Sequence, residues 1–252
     1  MKKIYVQRSS KLFSVLLFLL VLFGHHQSNL VVFLILLSFQ NEISDKFPIK
    51  KDRHKWQGGF KFAEGAQPAM VDTLHEIDGY LFNSSTGNKI VQARMDGFTF
   101  NKLKPYTRWE EFSAEALSLW KLYIKIARPE MITRLALRYI NRIEIPLPMN
   151  EFNEYVLTYP EVGPNIPKGI SDYLFRLVIP NMNAGSNAVI TQSIDKSRPL
   201  TERLPLIFDI DVFKNVKLSP QHDIMEIMNE LRNFKNQIFL NSLTDKTKEL
   251  FK

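Results

Sequence analysis

The chain has 252 residues, 45% hydrophobic and 23% charged, and these values are typical of soluble globular proteins and not of disordered chains. It has no cysteine, which excludes disulfides, thiolate zinc sites and a cysteine nucleophile and suits a reducing cytoplasm.

The net charge of +7 does not indicate a nucleic-acid-binding domain. Nine of the 33 basic and three of the 26 acidic residues lie in residues 1–60, which leaves 24 and 23 in the remainder.

The first 41 residues differ in composition from the rest of the chain. Two mostly apolar runs, 12–23 and 30–39, are separated by a polar stretch with two histidines, and the first acidic residue is Glu42. Three interpretations are open: residues 12–39 are a transmembrane anchor, the start is a signal peptide, or a shifted reading frame or wrong start has misplaced residues 1–41. The anchor has the necessary length but would carry its histidines near the bilayer centre. The signal peptide lacks a small-x-small cleavage site.

From residue 42 onward the pattern predicts an α+β domain. Residues 45–62 are polar and basic with helix and strand breakers, so they are assigned to loop or helix. Residues 77–84 and 88–100 alternate as two strands around a turn of Ser, Thr, Gly and Asn. An amphipathic helix with an aromatic core face follows Pro105 and ends at Pro129.

The second half contains the clearest strand, residues 132–145, in which apolar and charged residues alternate. The elements predicted after it are a short helix at 149–157, strands at 173–179, 188–194 and 206–213, and a final helix at 223–240. These elements predict an α+β fold of duplicated βαβββα units, with antiparallel sheets packed against amphipathic helices. The halves are about 42–130 and 131–252, and the opening strand of the first half is missing or replaced.

Three segments carry a family resemblance: Asp96 to Asn101, Arg134 to Ile143 and Asp209 to Phe213. With them, the chain from about residue 40 to its C terminus resembles a sporadically distributed, uncharacterised bacterial family of about this length. The resemblance implies no activity, substrate or cofactor. Members of the family usually begin with a proline and an apolar strand bearing spaced glutamates. The acid-free apolar run at that place in this chain is what favours the reading-frame interpretation.

The candidate site is the polar face of the predicted sheet. By alternation Arg134, Arg138 and Arg142 share one face of their strand with Glu144. A strand carrying Arg176 is expected beside them. Asp209 and Asp211 share a face of a later strand, about 6.6 Å apart, and Gln192 is expected to join them. The candidate ligand-binding residues are therefore Arg134, Arg138, Arg142, Arg176, Gln192, Asp209 and Asp211.

These residues support three interpretations. The arginines can bind a carboxylate or phosphate in bidentate fashion, the two aspartates can hold a divalent cation, or both groups simply form cross-strand ion pairs. Cross-strand ion pairing is the favoured interpretation of the contacts that these side chains make.

For function, a non-enzymatic module that binds a protein or a small anionic ligand is favoured. A metal-dependent enzyme that acts on a phosphorylated substrate through Asp209 and Asp211 is the alternative. No cofactor and no nucleic acid are expected, and the domain is expected to be cytoplasmic, tethered to the inner membrane if residues 12–39 are an anchor.

Overall fold

Strands alternate with a few long helices in an α+β arrangement, as the sequence predicts. The computed structural model describes residues 11–22, 29–56, 59–61, 69–71, 75–105, 108–167, 169–197 and 202–251. Parts of the N-terminal segment, residues 1–10 and 23–28 with the two histidines, lie outside the described residues.

The described strands and helices have the following bounds. The strands are β1 (Lys11–Leu22), β2 (Ile49–Trp56), β3 (Gly59–Lys61), β4 (Ala69–Val71), β5 (His75–Asn83), β6 (Lys89–Arg94), β7 (Gly97–Leu103), β8 (Met131–Pro146), β9 (Leu174–Asn181), β10 (Ser186–Ile194) and β11 (Arg203–Leu218). The helices are α1 (Asn29–Ile43), α2 (Trp109–Ala127), α3 (Met225–Ser242) and α4 (Asp245–Glu249).

One antiparallel sheet of nine strands organises the molecule, in the order β2-β5-β6-β7-β1-β8-β11-β10-β9. The short strands β3 and β4 pair separately. From the centre outward the first half runs β1, β7, β6, β5, β2 and the second half runs β8, β11, β10, β9. A long helix, α2 or α3, follows the strands of each half. The internal duplication itself stays a prediction.

The opening strand expected to be missing is present as β1, at the centre of the sheet between β7 and β8. Its side chains Val15, Leu17 and Leu19 are fully buried. Because apolar residues occupy both faces of this strand, its sequence shows no alternation. The expectation that this strand is missing was therefore wrong, and the reading-frame hypothesis for residues 1–41 stays a prediction.

The second apolar run forms most of α1, which packs on α2 and β5 through buried Leu36 and Phe39. Among the described residues, no helix combines the length and the apolar character needed to cross a membrane.

Two smaller expectations also differ from the structure. The basic segment assigned to loop or helix contains the edge strand β2, and the short helix expected at 149–157 is only a 3₁₀ turn, Phe152–Glu154.

Aromatic contacts place the long helices on one face of the sheet. Phe39 of α1 lies 6.0 Å from Phe82 of β5, measured between ring centroids. In the same way α2 packs Phe112 on Phe100 at 5.3 Å, and α3 packs on β11. We call the opposite side, on which no described helix packs, the open face. It presents the even-numbered residues of β8 and the odd-numbered residues of β11.

Candidate binding face

The arginines of β8 and the aspartates of β11 meet on the open face. β8 and β11 are direct neighbours, and their register sets Asp211 opposite Arg138 and Asp209 opposite Ile140. Arg138 reaches diagonally to Asp209, and Arg134 reaches along the strands to Asp211. The structure thus brings together Arg134, Arg138, Arg142, Asp209 and Asp211.

The most complete of these contacts joins Arg138 to Asp209. Nε of Arg138 donates to Oδ1 of Asp209 at 3.0 Å, and Nη2 donates to Oδ2 at 2.6 Å. This bidentate, charge-assisted geometry is the strong form of an ion pair, and the hydrogen bonds to Asp209 raise the pKa of Arg138. Asp209 is 8% exposed, whereas the side chain of Arg138 is 46% exposed.

A second pair lies one register step along the strands. Nη2 of Arg134 is 3.4 Å from Oδ2 of Asp211, and the guanidinium sits 4.3 Å from the centroid of the Phe213 ring. Burial raises the pKa of Asp211, and Arg134 and Arg138 partly oppose that shift. Oδ1 of Asp211 is buried without a hydrogen-bond partner among the described residues.

Arg142 completes the row with two carboxylates. Its Nε is 3.2 Å from Oε1 of Glu144 and 3.5 Å from Oδ2 of Asp195. Asp195 was missed by the sequence analysis because it follows β10, which is separated from β8 by β11. Only the strand order brings it there. We call this set the ion-pair belt; it consists of Arg134, Arg138, Arg142, Glu144, Asp195, Asp209 and Asp211.

Two candidate residues lie elsewhere. Gln192 was expected beside the aspartates, but it is opposite Phe208 on the helix-covered face and is fully buried, with the Tyr173 hydroxyl 3.5 Å from its Oε1. Arg176 was expected on a strand adjacent to β8. It is on the open face of the edge strand β9, with β10 and β11 between. Alternation alone cannot fix the pairing partners of a strand, which explains the error at Arg176. Gln192 alternates in step with buried Ile190 and Ile194, so the pattern of its own strand already indicates the covered face.

A buried lysine behind the belt was also missed. Lys235 of α3 is 4% exposed, and its Nζ lies 3.9 Å from the centroid of the Tyr139 ring on the helix-covered side of β8. Burial lowers the pKa of Lys235 to about 7, with a smaller contribution from the charge of Arg232. A single lysine on an otherwise amphipathic helix gives no sequence signal of this environment.

The belt is better suited to contact than to cation binding. Both oxygens of Asp209 are engaged by Arg138. Among the residues the structure describes, no three His, Asp or Glu side chains are grouped as metal ligands. The metal-dependent alternative stays a prediction, without support from this geometry.

The described grooves lie away from the belt. One of about 430 Å³ lies between α1 and α2, and its lining includes Glu42, Lys46 and Lys121. Another of about 290 Å³ lies beside the β5–β6 turn, next to Gly87. Neither includes a belt residue.

A scan against protein-family models and a search of curated proteins both find no match to this chain. The family resemblance therefore stays a prediction, and the case for function depends on the geometry of the open face.

Proposed function

We propose that this chain is a non-enzymatic recognition module that binds a protein partner through the open face, with the ion-pair belt at the centre of the contact. The observation that carries the proposal is the position of Arg138. Its side chain is nearly half exposed although it is anchored to Asp209 by two nitrogens. Its Nη1 has no hydrogen-bond partner among the described residues, and arginines held in this way are typical anchors of protein interfaces.

Charge balance favours a protein over a small anion. The belt holds three guanidinium groups and four carboxylates, and each of the arginines lies within 3.5 Å of a carboxylate oxygen. A phosphate would therefore find only the exposed nitrogen of Arg138, without a bidentate pair of donors. A protein surface can add an acidic side chain at the same nitrogen, leave the pair with Asp209 intact and make further contacts around it.

The neighbouring strand supplies apolar contact area. Leu16 and Leu20 of β1 lie opposite Arg138 and Arg134 in the register, and both leucines are partly exposed. An arginine surrounded by aliphatic side chains is desolvated when a partner binds, which strengthens a hydrogen bond to a partner carboxylate. The partner surface expected here is an acidic side chain within an apolar surround.

The experiment uses the full chain as bait in extracts of its own source cells, with captured proteins measured by quantitative mass spectrometry. The test variant is the double substitution Arg138→Met and Asp209→Asn, which removes the pair without leaving Asp209 charged and buried. The matched control is Lys214→Met with Glu230→Gln, which neutralises an ion pair between β11 and α3 on the other face. Thermal melting of each variant checks that the fold is kept.

We expect a partner that is retained by the wild type and by the control and reduced at least tenfold with the test variant. This interaction is then repeated with the purified partner. Equal capture by both double variants contradicts a role of the belt. A wild-type bait that retains nothing above an unrelated bait contradicts the recognition function.

A further inference from the structure

The two edges of the sheet are protected differently. β2, at one edge, carries the charged residues Lys50, Lys51 and Arg53 among others. β9, at the other edge, has a single charged residue and exposes Leu174 and Val178 by 76% and 53%. Natural sheets guard exposed edges with charges, lysine above all, because an unguarded edge pairs with other strands. Apart from Arg176 and Pro180, β9 carries no such protection.

We propose that β9 pairs antiparallel with β9 of a second copy across a two-fold axis, so that the two sheets become continuous. Charge decides between the available edges. Pairing with β2 of another copy would set Arg176 against a basic strand. Such pairing would leave an unpaired β2 at one end and an unpaired β9 at the other, so further copies could keep adding. Pairing of β9 with β9 stops at two copies, because neither copy has a second β9 to offer.

The position of Pro180 indicates which backbone groups of β9 are free. A proline within a sheet occupies an edge position whose N–H would point away from the ladder. Pro180 pairs with Asn187 of β10, and the even-numbered positions of β9 share its orientation. The main-chain groups of Arg176 and Val178 therefore point toward the free edge and are available to a second strand.

Charge disfavours one register of this pairing and apolar contact favours another. If Arg176 faced Arg176 of the second copy, two like charges would lie directly opposite, which is destabilising. If Arg176 faces Val178 of the second copy, Leu177 lies opposite its own counterpart and Phe175 lies opposite Ile179. Side chains on the helix-covered side of this pairing are all apolar, and Leu177 already packs against the core.

The expected dimer is weak. Standard protein interfaces bury about 800 Å² on each partner, and pairing of one short strand buries less, so we expect a dissociation constant of about 1–100 µM. Sedimentation equilibrium of the full chain from about 1 to about 200 µM spans this range. The mass should rise from 29.4 kDa toward twice that value.

Two substitutions of one residue test the register. Val178→Lys and Val178→Glu remove the same apolar side chain. In the dimer the lysine would lie opposite Arg176 of the other copy as a like charge, and the glutamate would lie opposite it as an opposite charge. We expect Val178→Lys to weaken the dimer at least tenfold and Val178→Glu to stay within about threefold of the wild type. Adding Arg176→Glu to Val178→Lys should restore the dimer, because the opposed charges then attract. Circular dichroism checks the fold of each variant.

Three results would overturn the proposal. They are a wild type that stays monomeric over the whole range, equal weakening by both substitutions at Val178, and association that continues beyond the dimer. The proposal is independent of partner binding by the belt. The Arg138→Met, Asp209→Asn variant should still dimerise, so failure of either proposal can be recognised separately.

Discussion

Replacing Lys235 by methionine should stabilise the protein at neutral pH and remove a pH dependence of its stability. The amine is buried against Tyr139, and its pKa is lowered from 10.5 to about 7 by desolvation. The unfolded chain binds this proton up to about pH 10.5, whereas the folded chain releases it above about pH 7. The free energy of unfolding therefore rises with pH through this window, and the full cost of charging is present below it.

The magnitude follows from two opposing effects. At pH 7 a difference of this size between folded and unfolded pKa costs about 4 kcal/mol. The Tyr139 ring, 3.9 Å from Nζ, favours the charged amine by about 1–2 kcal/mol. The net cost is about 3 kcal/mol at pH 7 and falls to about 1 kcal/mol at pH 9.5. Methionine has a similar length and shape and no charge, so Lys235→Met should gain these amounts.

Urea unfolding of the wild type and Lys235→Met at pH 6.5, 8 and 9.5 measures the difference between their free energies of unfolding. Lys121→Met, at an exposed position of α2, is the matched control and should show no such trend. The series ends at about pH 9.5 because tyrosines of the unfolded chain ionise near pH 10. Burial raises the pKa of Tyr123, and raises that of Tyr173 to about 12. The claim that a buried charge at Lys235 costs stability would be refuted if the difference in free energy of unfolding were the same at pH 6.5 and 9.5. It would also be refuted if the variant were less stable than the wild type at pH 6.5.

Two further changes test the central strands. Leu17→Ala in β1 should lower the free energy of unfolding by about 2–5 kcal/mol, because this fully buried side chain fills the centre of the core. A loss below about 0.5 kcal/mol in urea unfolding would mean that β1 is not a core strand. Arg138→Ala should cost about 2 kcal/mol at pH 7, because it leaves the carboxylate of Asp209 buried without its guanidinium. The double variant Arg138→Met, Asp209→Asn should lie within about 1 kcal/mol of wild type, and equal losses in the two would contradict the ion-pair argument.

Strands and helices with a clear period could be predicted from the sequence. The alternation along β8 and the aromatic stripe of α2 both report a single buried face, and both elements lie within a few residues of the predicted bounds. β1 gave no alternation, because its apolar run continues on both faces. β2 was missed for the opposite reason. As an edge strand it is charged on both faces and resembles a loop.

The candidate site shows what alternation can and cannot supply. It correctly put Arg134, Arg138 and Arg142 on one face, since that needs only the period of a strand. The contacts between strands depend on register and strand order, which a single sequence does not encode locally. Asp195 was therefore overlooked. The face of Gln192 does follow from the period of β10, in which it shares the side of Ile190 and Ile194, and its polar side chain was wrongly given more weight than that period.

Positive charges on the two sides of β8 are accommodated in different ways. On the open face the arginines Arg134, Arg138 and Arg142 keep their charge, and each lies beside a carboxylate. On the covered face Lys235 has an aromatic ring and a nearby like charge from Arg232, so burial is tolerated by releasing a proton. Lys235 lies on α3 behind the sheet, whereas the side chains of Arg138 and Asp209 lie on the open face. Lys235→Met and the Arg138 and Asp209 double variant therefore change separate contacts, which makes them independent tests of the buried lysine and of the proposed partner recognition.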